Sequence, residues 1–167
     1  MIGRQFVIAD THFNDANIIR FCNRPFSSVE DMNTSLIDNW NSVVEPHDTV
    51  WILGDFFKFT NVVDRDFNDI VNQLHGHKNL IKGNHDIESD SFYKSYFEFY
   101  STYPILLNGF FLLSHEPLQL SETTPYFNIY GHVHNDMKYV DNKTSRCVSV
   151  ERIGYKPLLL DKIISKD

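Results

Sequence analysis

The sequence predicts a mixed α/β fold in which two β-sheets pack face to face and helices cover their outer faces. Three observations lead there. Short apolar runs recur: QFVIA, TVWIL, KNLIK, FFLLS and FNIY, each four or five residues long and rich in β-branched or aromatic side chains. Two stretches of helical spacing separate the first three runs. After about residue 95 the pattern changes to short strands and turns.

In chain order, QFVIA reads as the first buried strand, closed by Asp10. The stretch SSVEDMNTSLIDNWNSVV follows. Its Val29, Met32, Leu36, Ile37, Trp40 and Val43 mark one helical face, with Ser27 and Glu30 as a capping box. TVWIL is the second strand. A second helical face runs through Val63, Phe67, Ile70, Val71 and Leu74, and Gly76 stops it. KNLIK is the third strand. Beyond it YPILLNG, FFLLS, FNIY and KPLLL read as strands, and MKYVDNKTSRCVSV as a hairpin turning at Asp141-Asn142. No repeat or linker divides the chain, so residues 1–167 are expected to form one domain.

Composition narrows the function classes. With 22 acidic and 15 basic residues the net charge is −7, which argues against binding long nucleic acid or an anionic membrane. No apolar run spans a bilayer, and the apolar start is too short for a signal peptide. Cys22 and Cys147 make neither a disulfide framework nor a thiolate zinc site, so the expected setting is the reducing cytoplasm. The 14 phenylalanines and eight tyrosines promise a large core, and an apolar patch left exposed would suit a homodimer.

The chemistry follows the strands. FVIA is followed by Asp10-Thr11-His12, WIL by Gly54-Asp55, NLIK by Gly83-Asn84-His85, FFLLS by His115, and FNIY by Gly131-His132-Val133-His134. Ligand sites of α/β sheets lie beyond the carboxyl ends of the strands. In an extended chain His132 and His134, two apart, point to the same side. Two aspartates, one asparagine and five histidines, with no sulfur donor, suit divalent ions such as manganese, iron, zinc or nickel. They exceed the needs of one catalytic zinc and are enough for two ions. His47, His75 and His77 fall outside this pattern and read as loop or strand-edge residues.

The order D-x-H, G-D, G-N-H-D, H, G-H-x-H, spread over residues 8–134, resembles that of the calcineurin-like metallophosphoesterases. The stretch ADTHFNDANIIRFCNRPF is more similar to their small bacterial and phage members. The resemblance implies a four-layer α/β/β/α sandwich of two mixed sheets. It also implies two divalent ions, manganese foremost: Asp10, His12 and His134 on one, Asn84, His115 and His132 on the other, Asp55 bridging. A metal-bound hydroxide would attack phosphorus while His85 assists the leaving oxygen. Here Gly54-Asp55 is followed by Phe56-Phe57-Lys58, without the acid and arginine that the protein phosphatases carry at that place.

The expected activity is therefore hydrolysis of a small phosphodiester of nucleotide type. Phe13, Phe56 or Phe57 would stack on a base, and Asn14, Arg24 and Lys58 would contact the substrate. For Arg20, Arg24 and Asn14 a contact on the helix face, a salt bridge for the arginines, is the favoured role, and Asp86 is a candidate to orient His85. A small-molecule phosphomonoesterase and a non-catalytic scaffold with the same fold are the alternatives.

Overall fold

In the computed structural model, residues 3–59 and 64–164 are described. The two expected sheets are present, with the helices packed on the five-stranded one. A five-stranded sheet has the order β4-β3-β2-β1-β9, and a four-stranded sheet the order β5-β6-β7-β8. The first is built from β1 (Gln5–Ile8), β2 (Thr49–Ile52), β3 (His77–Ile81) and β4 (Phe99–Ser101), all parallel, and β9 (Leu158–Leu159), antiparallel to β1. In the second, β5 (Ile105–Leu107) runs antiparallel to β6 (Phe111–Leu113), which is parallel to β7 (Phe127–Tyr130), itself parallel to β8 (Ser145–Cys147).

The period-2 geometry of β1 explains why its run is apolar throughout. Phe6 and Ile8 face the helices α1 (Ala16–Phe21), α2 (Val29–Asn41), α3 (Asp64–Gln73) and α4 (Asp90–Tyr96), meeting Met32, Leu36, Trp40 and Phe67. Val7 and Ala9 face the other way, against Leu113, Phe127, Ile129 and Val148 of the second sheet. The packing faces of these helices all meet the five-stranded sheet. Over the outer face of the second sheet run connecting segments, where buried Asn128 accepts from Leu118 N–H at 2.8 Å.

Several local expectations shift. The cap of α2 lies one residue later than the spacing suggests. Ser28 accepts from Asp31 N–H, while the Asp31 carboxylate accepts from Ser27 N–H at 2.8 Å. Of the helical stripe ending at Leu74, Phe67, Ile70, Val71 and Leu74 are buried, and Val63 lies outside the described residues. The hairpin expected over 137–150 is not formed. Its first arm is a non-strand segment, and the Asp141 side chain takes the Cys147 N–H instead of turning two strands. No helix among the described residues is long and apolar enough to cross a membrane.

Candidate metal centre

Every strand ending singled out above opens onto one place. Asp10 and His12 follow β1, Asp55 follows β2, Asn84 and His85 follow β3, His115 follows β6, and His132 and His134 follow β7. Facing sheets with parallel strands running to the same edge bring all five loops together.

Two groups of donors result. Asp10, His12 and His134 place ligand atoms within 4.8 Å of one another, and so do Asp55, His115 and His132. The Asp55 Oδ2 lies 3.5 Å from His12 Nε2 and 3.5 Å from His115 Nε2, between the two groups. Asn84 joins the second, its Oδ1 at 2.8 Å from His115 Nε2 and 3.0 Å from His132 Nδ1.

The hydrogen bonds behind the rings fix which nitrogen faces inward. His115 turns Nδ1 to the Leu53 carbonyl at 2.8 Å, leaving the Nε2 lone pair for the site. His134 turns Nδ1 to Glu151 Oε1 at 3.1 Å. His115 Nε2 is also 3.2 Å from His132 Nδ1, so three lone-pair donors converge. One ring proton serves a single pair of them, whereas one cation serves all three. Both nitrogens of buried His12 lack a hydrogen bond altogether. Asp15 and Asp55 each stand 3.5 Å from one of these nitrogens, an ionic environment without a formed hydrogen bond, and coordination is what this donor set fits.

The electrostatics agree. Burial alone would lower the His12 pKa, yet Asp15, Asp55 and Asp10 push it up to about 9. Burial would likewise raise Asp55, but His12 and His115 hold it at about 2. Asp10, fully covered, is raised by burial against the pull of His134 and His115. The pocket thus collects carboxylates that want positive charge nearby.

The backbone is held in a demanding shape. Asp10, His12, Asp55, His132 and His134 have φ of 58°, 48°, 53°, 69° and 46°, in the left-handed region. Aspartate and histidine tolerate it better than most residues, but it still costs energy that the surroundings must supply. Buried Asp86 supplies part by accepting from Asp55 N–H, Phe56 N–H and Gly83 N–H at 2.8, 3.0 and 2.8 Å. These angles also replace the extended-chain argument for the paired histidines. His132 and His134 sit in a turn closed by Val133 N–H to the Gly131 carbonyl, and they serve different donor groups.

Glycine is required where the loops touch. Gly54 combines φ +83° with a close approach to His115 and Gly83. At Gly131 a Cβ would lie 2.7 Å from Asp10 Oδ2 and collide with Ala9. Asp10 cannot retreat, because Oδ2 accepts from Ser149 Oγ at 2.6 Å and from His132 N–H at 2.8 Å. Gly131→Ala is expected to destabilise the fold by ~1–3 kcal/mol and to weaken metal uptake; a thermal melt and metal titration would check both.

Some assignments need correction. Phe13, Phe56 and Phe57 are 0%, 0% and 2% exposed. They do not form the mouth; they belong to the aromatic core around Phe67. Arg24 does not reach a substrate either. It is buried, paired with Glu151 at 2.8 Å, and donates to the Asp10 and Thr11 carbonyls at 2.7 and 2.9 Å. Asp86 faces backbone rather than the His85 ring. Asn14 and Lys58 are half-buried next to the first donor group, where the Lys58 charge helps hold Asp15 ionised.

The sequence reading missed Asp15, Ser149 and Glu151, which hold His12, Asp10 and His134 from behind. Burial raises the Glu151 pKa, but His134 and Arg24 outweigh it and bring it to about 2.

Residues 4–166 match the calcineurin-like phosphoesterase family. The chain belongs to that family. It is 40% identical over 168 residues to an uncharacterized protein of Methanocaldococcus jannaschii, covering 95% of this chain and 88% of the relative. Among solved structures, this calcineurin-like phosphoesterase superposes on a protein of unknown function from Aquifex aeolicus with TM-score 0.77 and 28% identity, covering 96% and 97% of the two chains. It shares the fold of the Pseudomonas putida nuclease MPE at TM-score 0.54 and 24% identity, over 78% of this chain and 62% of that one.

Proposed function

We propose that this chain is a hydrolase of phosphate esters, with a small phosphodiester as substrate and two divalent ions as cofactors. The observation that carries the proposal is the position of Asp55 Oδ2, equidistant from Nε2 of His12 and His115 and so between two complete donor groups. Asp10, His12 and His134 would hold one ion, and Asn84, His115 and His132 the other. Bound there, the ions would acidify water and neutralise phosphate charge. Oxygen and imidazole donors suit manganese, iron, zinc or nickel, and manganese is the ion the family resemblance puts foremost.

The protein's own part is to orient and to move a proton. Asp55 Oδ1 accepts from His85 N–H at 2.8 Å, which ties the His85 loop to the bridging carboxylate. The His85 ring is exposed and stands edge-on to His12 with centroids 5.3 Å apart. From there it is positioned to protonate a departing ester oxygen. Asn14 and Lys58 are the nearest expected substrate contacts that the fold leaves at the surface.

With Phe56 and Phe57 in the core, an apolar mouth no longer argues for a diester. Two clefts do. One borders His132 and His134, and another, of about 360 Å³, borders Asn84 and His115. A monoester has one organic substituent to place; a diester has two. The free, buried Cys22 and Cys147 support a reducing, cytoplasmic setting.

The test is hydrolysis of bis(p-nitrophenyl) phosphate and p-nitrophenyl phosphate by chelator-treated protein, before and after manganese is returned. The expected result is no turnover without metal and faster diester than monoester turnover with it. Faster monoester turnover would favour the phosphomonoesterase. No turnover of either by metal-loaded protein would favour the scaffold.

A further inference from the structure

Phe21 closes α1 and is 83% exposed, and Tyr139 is 43% exposed. One solvent-facing aromatic is unremarkable on any protein. These two, however, line the same cleft of about 410 Å³, which His132 and His134 also line. Clefts of that size hold small organic groups.

The walls are built rather than incidental. Arg152 donates to the carbonyls of His134, Asp136 and Tyr139 at 2.6, 2.7 and 2.6 Å, so one guanidinium pins the loop that carries both a candidate ligand and Tyr139. Across the cleft Asn135 Nδ2 donates to the Cys22 carbonyl at 3.2 Å, which ties that loop to the end of α1 beside Phe21. Asp136 also lines the cleft, so a phosphate would be repelled from it while a neutral flat group would not.

We infer that Phe21 and Tyr139 form a stacking site for a flat aromatic substituent, of nucleobase type, on the ester held at the adjoining metal centre. The inference rests on the phosphoesterase reading and makes these two residues determinants of specificity. Aromatic faces bind any base by stacking, so selectivity lies between aromatic and aliphatic substituents rather than among bases.

Equilibrium binding of adenosine monophosphate and ribose phosphate to the metal-loaded protein tests it, since the two probes share the phosphate and differ by the base. The protein should bind adenosine monophosphate about tenfold more tightly. In Phe21→Ala/Tyr139→Ala the ratio should fall to about one, and KM for an aromatic diester should rise with kcat little changed. Both side chains lie on the surface and Arg152 grips only the Tyr139 backbone, so the fold survives the change.

A wild-type ratio near one, or a ratio unchanged in the double variant, overturns the stacking site. If bis(p-nitrophenyl) phosphate is still hydrolysed with metal, the stacking site fails alone. If that hydrolysis is absent too, the phosphoesterase reading fails with it.

Discussion

His85→Ala is expected to lower turnover of a diester with an alkoxide leaving group by about 10²–10⁴-fold, with metal content unchanged. The ring makes no hydrogen bond among the described residues, and its neighbour is the His12 ring. Truncation therefore leaves no buried group unpaired. The backbone N–H that Asp55 accepts is kept in the variant, so the Asp55 carboxylate keeps its place. What disappears is the proposed proton donor. A p-nitrophenoxide departs readily without a proton, so the loss should be much smaller for that leaving group. Turnover of both esters, with metal content measured on the same samples, checks the prediction. Equal losses would place His85 elsewhere in the reaction, and a fall in bound metal would make it a ligand.

Much of the centre was legible because one rule repeats: an apolar run, then a polar residue at its carboxyl end. Applied to FVIA, WIL, NLIK, FFLLS and FNIY it names every side chain of both donor groups. The same rule applied to RCVSV would have reached Ser149 and Glu151, since β8 (Ser145–Cys147) runs to the same edge. Reading that run as one arm of a hairpin hid them. Asp15 carried a different signal, as the N-cap of α1, where its side chain accepts from Asn17 N–H.

Other parts depend on packing that no local pattern encodes. Phe56 and Phe57 follow Asp55 directly, so sequence proximity suggested the mouth. The chain turns under the helices there, and Phe67, Phe59 and Phe97 surround them. The short helix α4 went unread for a related reason. Its buried Tyr93 and partly buried Phe92 and Tyr96 are justified by the distant Phe67 rather than by their own spacing. Phe21 and Tyr139 lie outside every apolar run and strand ending, and only the cleft between them marks them.

Arg24→Met is expected to destabilise the protein by ~3–5 kcal/mol, or a melting temperature lower by about 10 °C. Arg24 and Glu151 are covered side chains, 0% and 4% exposed, and the arginine contacts Glu151 Oε1 through both Nε and Nη2 at 2.9 and 2.8 Å. Methionine replaces the volume but leaves the buried Glu151 charge with His134 and without its arginine, and the Asp10 and Thr11 carbonyls without the guanidinium donors. The effect also has a pH signature. In the metal-free protein Glu151 is depressed from 4.5 to about 2, and Arg24 is among the causes. A depressed carboxylate adds stability above its unfolded pKa and loses it as the pH falls through the folded one. The gap between wild type and Arg24→Met should thus be full above about pH 5 and narrow toward pH 2.

A second substitution separates stability from metal binding. Arg24→Met/Glu151→Leu removes the stranded charge, and replacing a buried ion pair by apolar side chains of similar volume is close to neutral. Most of the lost stability should return. Metal affinity should not, because His134 Nδ1 then has no carboxylate to fix its orientation, and loss of such an outer partner weakens metal binding about 10–100-fold. If affinity recovers together with the melting temperature, Glu151 serves the fold alone. If affinity stays low in a restored fold, the buried pair exists to aim His134.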